Sequence, residues 1–246
     1  MRVLCAALLL VTGVSVAQSI DHPPESLSRL SRAVVRGEAD QQTVERLASR
    51  AEEELQAVEN QALRSVWEAE RLFVLGVFQL STGREQAATG LFETSVRSAE
   101  RAIDQNESSY AHRILSNSLQ QLLSLRGPFY QIANAGRALR SARRAVELDS
   151  ESASARVSLI SYLTLAPAIA GGDPEEAARQ IERAQELADG DVSVEFLLWL
   201  WRARLHAAAG DRPATRAALD AARDIFPESP LLEDTEADTM QNQGSR

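Results

Sequence analysis

The chain contains no lysine; all 26 of its basic residues are arginine. Lysine Schiff-base chemistry and a phosphate-loop lysine are therefore excluded. Cysteine is almost as rare. Cys5 is the only one, so there is no intramolecular disulfide framework and no cysteine zinc site. The three histidines are His22, His112 and His206. None stands in a His-x-x-x-His or Glu-x-x-His spacing, so no metal set is expected. No glycine-rich phosphate loop and no Gly-x-Ser-x-Gly elbow occurs. These gaps leave no recognisable catalytic, cofactor-binding or metal constellation, and the sequence reads as that of a non-enzyme with no cofactor. Runs of alternating β-branched residues are nearly absent as well, and glycine and proline sit mostly between apolar-periodic segments. That pattern predicts an all-α chain.

What is present begins with a leader. Arg2 is followed by the apolar run Val3–Val16, and Ser15-Val16-Ala17 has the small–x–small form of a cleavage site. Residues 1–17 read as a secretory signal peptide cleaved after Ala17. The run is too short and too interrupted for a membrane span, so no membrane insertion is expected once it is removed. Cys5 lies near the start of the run, which excludes a lipoprotein signal. An exported chain whose mature part has no cysteine depends on its apolar core alone. A bacterial periplasm, or secretion, is the expected location. The formal net charge of −9 opposes phosphate binding, so no nucleic-acid partner is expected.

The mature chain divides by its punctuation. Residues 18–65 hold a polar lead broken at Pro23-Pro24, then two amphipathic segments, Leu27–Arg36 and Gln41–Val58. The second carries Val44, Leu47, Ala51 and Leu55 on one face. This pair reads as a capping hairpin that gives a helical stack a polar end. Paired helical segments follow across residues 66–227. The run Gly171-Gly172-Asp173-Pro174-Glu175-Glu176 is the sharpest helix start. Asp173 is placed to cap, Pro174 suits the first helical position, and the glutamates suit the positive end of the helix dipole. Residues 228–246 form an acidic tail that is expected to fray.

Within residues 66–227 one spacing recurs. Trp199, Ala203, His206, Gly210, Thr215, Leu219, Ala222 and Pro227 stand where the tetratricopeptide repeat (TPR) places its large apolar, small, aromatic, glycine, small, apolar, alanine and proline residues. The chain resembles that family through about four degenerate copies of a unit of about 34 residues. Ala177, Ile181 and Ala184 fall in the preceding second helix, and Leu159 and Leu163 in its first. Ala138, Ala142 and Ala145 mark an earlier second helix, with His112, Leu115 and Leu119 in its first. Gly76, Gly83, Ala88 and Phe92 match earlier still, with Ser95 in place of alanine. Extra residues surround Arg126–Tyr130 and Ala166–Gly171. The resemblance implies a right-handed α-solenoid of TPR-like hairpins that works by binding rather than by chemistry.

The resemblance also implies a binding surface, because the family's first helices line a concave groove. Transferring those positions gives Tyr110, Arg113, Asn117, Gln120 and Gln121 in one repeat, Ser158 and Ser161 in the next, and Arg204 in the last. An arginine fork and side-chain amides suit an extended peptide. The partner is expected to be a protein or peptide, with homo-oligomerisation also open. The family's carboxylate clamp uses lysine and is absent here. A protein–protein scaffold or adaptor is the leading reading. The insertions also bear a weaker similarity to the periplasmic helper proteins of tripartite (TRAP-type) solute transporters, which suggests a ligand-handling helper as the alternative. A polar open groove would favour the scaffold, and an apolar pore or cavity the helper.

Four further features carry expectations. Trp67 and Trp199 fall at packing positions and are expected in the core. Trp201 lies off that face, which leaves an exposed, functional tryptophan open. His112 and His206 are expected between helices. Arg137, Arg140, Arg143 and Arg144 are expected on a solvated outer face beside acidic neighbours.

Overall fold

The computed structural model describes residues 23–244. The expected signal peptide, Cys5 and His22 lie outside the described residues. Eleven α-helices occur among those described: α1 (Glu25–Arg36), α2 (Gln41–Gln56), α3 (Gln61–Ser81), α4 (Glu85–Gln105), α5 (Ser109–Leu125), α6 (Pro128–Leu148), α7 (Ala153–Leu165), α8 (Pro174–Leu187), α9 (Val192–Ala209), α10 (Arg212–Ile225) and α11 (Pro230–Gly244). No strand occurs among them, and the fold is an all-α solenoid of antiparallel hairpins. Helix starts follow local chemistry. Asp40, Asn60, Ser108, Ser152, Asp173, Asp191 and Asp211 each accept a backbone N–H of the following turn, which satisfies donors that would otherwise be left without a partner.

The helices form two layers. Helices α1, α3, α5, α7, α9 and α11 are inner, and each packs on the next inner helix; α2, α4, α6, α8 and α10 lie outside them. The sequence sets this division. Helix α7 buries residues on nearly every side, among them Ser154, Ser158, Ile160, Ser161 and Tyr162, and α9 does the same. A helix apolar or small all round belongs inside. Helix α8 buries only Ala177, Ile181 and Ala184, so one small-residue stripe docks and the rest faces water. Small residues set the closest approaches. A Cβ at Gly76 would lie 2.5 Å from Phe92 Cε1, so only glycine lets that ring cross α3.

Three sequence expectations are corrected. First, the described part of the C-terminal segment is not an irregular tail. It forms α11, with Leu231, Leu232, Thr235, Asp238 and Thr239 buried. Its leading leucines supply the apolar face, which the acidic composition of the rest obscured. Second, the first hairpin is not a free polar end, because α1 packs against α11 and brings the two ends of the described chain together. Gly37 adopts φ +74 there, and a Cβ on it would lie 2.3 Å from the Glu228 carbonyl oxygen. Third, an exposed Trp201 is ruled out, and Trp199, though packed against the core, is the less buried of the two. Trp201 is fully buried, whereas Trp199 is only partly buried and lies under the Arg202 guanidinium, 4.8 Å from its ring centroid. Helix α9 is packed from both layers, so the face away from α10 is also interior.

Candidate functional site

The residues assigned to the groove do gather on the inner layer, but not in an open groove. Arg113, Asn117, Gln120, Gln121, Ser158, Ser161 and Arg204 are all buried, and only Tyr110 is half-buried. The stack curls until its ends meet, so the concave face becomes interior. The expectation of a solvent-lined peptide groove is corrected on that ground.

Part of this interior is a satisfied network between α5 and α7. Ser158 Oγ donates to Asn117 Oδ1 at 2.6 Å. Gln120 Nε2 donates to the Ser158 carbonyl at 3.2 Å and to Ser116 Oγ at 3.0 Å. Ser161 Oγ donates to Gln120 Oε1 at 2.9 Å. These bonds fix the register between two hairpins, and they occupy the Gln120 amide and the Asn117 carbonyl oxygen that were assigned to a peptide. Arg204 is likewise committed: its Nη2 donates to Asp238 Oδ2 of α11 at 3.3 Å, and its guanidinium stands 5.0 Å from the Trp201 ring centroid.

The rest is not satisfied. Glu70 of α3 has no exposed surface, and neither of its carboxylate oxygens has a hydrogen-bond partner. Burial pushes its carboxyl up to about 7, and Arg113 opposes that rise. Arg113 is 4 % exposed. Its guanidinium stacks 4.4 Å from the Tyr110 ring centroid, while its Nη2 and the Tyr110 hydroxyl find no partner. Gln121 is fully buried with both amide atoms unpartnered. Polar groups buried without partners are scarce in folded proteins, and they concentrate where a ligand, water or function supplies what is missing.

Sequence reasoning missed Glu70, Asp238 and the buried role of Trp201. For Glu70 a signal existed: it lies three residues from both Trp67 and Phe73, so it puts a carboxylate on the apolar stripe of α3.

The outer layer behaves as an ordinary charged surface. Arg143 pairs with Glu176 at 3.0 Å and Arg144 with Glu107 at 2.9 Å, and Arg137 pairs with Glu100. His112 Nε2 meets Glu107 Oε1 at 2.9 Å. A cleft of about 790 Å³ between α4, α5 and α6 is lined by Arg97, Arg101, Asp104 and His112, among others. One edge differs. Phe129 and Ile132 at the start of α6 are 92 % and 81 % exposed, and Ile169 is 99 % exposed. Both places are the insertions noted in the sequence. The first is absorbed by starting α6 at Pro128, and the second by a 3-10 turn, Ala168–Ala170. That turn leans on α6, since a Cβ at Gly171 would lie 2.7 Å from Leu139 Cδ2. Phe129, Ile132 and Leu139 share one side of α6. Among the described residues no group of three His, Cys, Asp or Glu could hold a metal, and no helix is long and apolar enough to cross a membrane.

No family model matches the chain, and no curated protein matches it. Among solved structures it is similar to YrrB, described as a TPR protein with an unusual peptide-binding site. The two are 17 % identical, with a TM-score of 0.42 over 86 % of this chain and 99 % of that one. A likeness this distant carries nothing about the site.

Proposed function

We propose that this chain is a non-enzymatic helical-repeat adaptor. In this reading it is exported by a signal peptide cleaved after Ala17 and binds a partner protein in the periplasm or outside the cell. The observation that carries it is the apolar edge formed by Phe129, Ile132 and Ile169. Large apolar side chains exposed on α6 and on the turn that leans against it mark an interaction surface. The buried inner face is not free for an extended peptide, and Arg137, Arg143 and Arg144 of α6 already hold partners within the chain. The partner therefore presents an apolar ridge rather than an acidic strand, and the contact is not chiefly electrostatic.

Two measurements test this. N-terminal sequencing of protein from its host should start at Gln18, in the periplasmic or secreted fraction; an intact cytosolic N-terminus refutes the export reading. A photo-reactive residue at position 129 or 132 should cross-link one specific protein, and serine substitutions at the other two positions of Phe129, Ile132 and Ile169, with the reactive residue kept in place, should abolish that product. A reactive residue at Arg140 should not give it. Equal labelling from all three positions rejects the edge as the docking surface. Cross-linking to a second copy of this chain would instead make it a homo-oligomer interface. A second reading, a ligand-handling helper of a solute transport system, is favoured by one observation alone, the unpartnered charges in the interior.

A further inference from the structure

We propose that the cleft between α4, α5 and α6 binds a small organic acid, with one carboxylate held by Arg97 and Arg101 and a compact apolar body laid over Ile103 and Leu115. Phe129, Ile132 and Ile169 are not among the residues lining this cleft. The site is separate from the apolar edge, and either can fail without the other.

The fold leaves room for such a ligand. The cleft holds about 790 Å³, inside the range of about 300–1,000 Å³ that small-molecule sites occupy. Helices α4 and α6 each pack on α5, so they are the walls, and α5 is the floor with His112 and Leu115. Two ion pairs run between the walls. Arg137 of α6 meets Glu100 of α4. Arg144 of α6 donates from Nε and Nη2 to Glu107, in the turn after α4, at 2.9 Å each. The cleft is therefore formed before anything enters it.

The α4 wall carries the cations. Arg97 and Arg101 both line the cleft, and a spacing of four residues presents them together on one helix face. Each is braced by a hydroxyl one turn back. Arg97 Nη2 donates to Thr94 Oγ1 at 2.8 Å, and Arg101 Nη2 donates to Ser98 Oγ at 2.8 Å. A guanidinium has five N–H donors, so these bonds leave others for a ligand. Among the described residues neither arginine is in an ion pair, unlike Arg137. A carboxylate matches their planar forks. His112 is already committed, since its Nε2 meets Glu107 at 2.9 Å.

The other lining groups select the rest of the ligand. Asp104 stands three residues beyond Arg101 on the same wall and repels a second acidic group. Ile103 and Leu115 offer apolar surface that a bare inorganic anion leaves uncovered. A monoacid with an apolar body meets both conditions.

The test is calorimetric titration with straight-chain carboxylates from acetate to octanoate and with phenylacetate. At least one should bind, more tightly than acetate, and its neutral amide should bind about tenfold more weakly or worse. Added salt should weaken the binding. Inorganic phosphate and succinate should bind more weakly than the best acid. Arg97→Gln/Arg101→Gln should lose binding by about tenfold or more yet melt as wild type does, because both arginines are exposed. Arg140→Gln should bind as wild type does. Asp104→Asn should improve the binding of succinate. The proposal is overturned if no acid of the series binds, if acetate, phosphate or the amide binds as well as the best acid, or if the double variant keeps full affinity. It is also overturned if Arg140→Gln loses as much as the double variant, or if succinate binding is unchanged in Asp104→Asn.

Discussion

The hydroxyl of Ser229 donates to the carbonyl of Val35 at 2.6 Å, across 194 residues of sequence. Val35 is in the last turn of α1, and Ser229 immediately precedes α11. The bond lies inside the seam where the two ends of the described chain meet, with the Arg36 guanidinium 5.1 Å from the Phe226 ring centroid beside it. Helices α1 and α11 thus act as neighbours rather than as ends, and the interior between them is shut.

Ser229→Ala should open this seam. It removes a buried donor and leaves the Val35 carbonyl without it, a loss of about 1–3 kcal/mol. Gly37→Ala should cost more, because a Cβ there meets the Glu228 carbonyl oxygen at 2.3 Å and the backbone is left-handed. Urea denaturation gives the size, and hydrogen exchange gives the place. Amide protection in α11 should fall before that of α5. Unchanged protection in α11 would show that the seam does not hold it.

Ala203 is fully buried in α9, as is Ala222 in α10, and those helices pack as a hairpin. Ala203→Leu should overpack the contact and destabilise the protein by about 1–3 kcal/mol. An unchanged melting temperature would mean that the helices have room to separate at this position.

Stability should fall as pH rises from about 4.5 to about 7. Glu70 has its carboxyl raised by burial from 4.5 to about 7, so in this window the folded chain holds a proton that the unfolded chain has released. The contribution is complete below the unfolded value and is lost as pH rises through the folded one; its size is on the order of 3 kcal/mol. Asp234, raised to about 6 mainly by burial, acts in the same direction. Glu107 is held down to about 2 by Arg144 and His112, so its effect has the opposite sign and falls below the window. Melting curves at pH 5 and pH 7.5 should differ for wild type, and the difference should shrink in Glu70→Gln.

Arg113→Ala should be far more damaging than Arg140→Ala, and more so at pH 8 than at pH 5.5. Removing Arg113 leaves Glu70 buried without its counter-charge, at about 3–5 kcal/mol when a buried pair is broken. At lower pH, Glu70 escapes by taking up a proton. Arg140 is exposed and should change stability by less than about 0.5 kcal/mol. Equal effects of the two substitutions on chemical denaturation would contradict the buried placement of Arg113.

Much of the hairpin order was legible because its signals are local. Asp173 and Pro174 start α8, Gly83 and Gly210 end helices in the left-handed conformation, and Ala138, Ala142 and Ala145 form a docking stripe. Each is read within a few residues, from capping chemistry, backbone freedom and a period near 3.6. The same periodicity placed Arg137, Arg143 and Arg144 on the outside, where acids from neighbouring helices meet them. It also put Tyr110, Arg113, Asn117 and Gln120 on one face of α5.

What that face meets was decided only by tertiary structure. Whether a concave layer stays open or shuts depends on curvature summed over every hairpin, and small changes in packing angle at each step accumulate along the chain. No window of sequence contains the meeting of Val35 with Ser229, or of Arg204 with Asp238. Closure turned a face of polar side chains from a groove into an interior, paired Asn117 with Ser158, and drew α11 out of an acidic tail. It also left Glu70 and Arg113 in the dark together. The sequence by itself determined that there would be helical hairpins with small-residue seams and a charged outer skin, because those follow from local periodicity. Only the fold decided which polar residues water would reach, because burial belongs to the whole chain and not to any one helix.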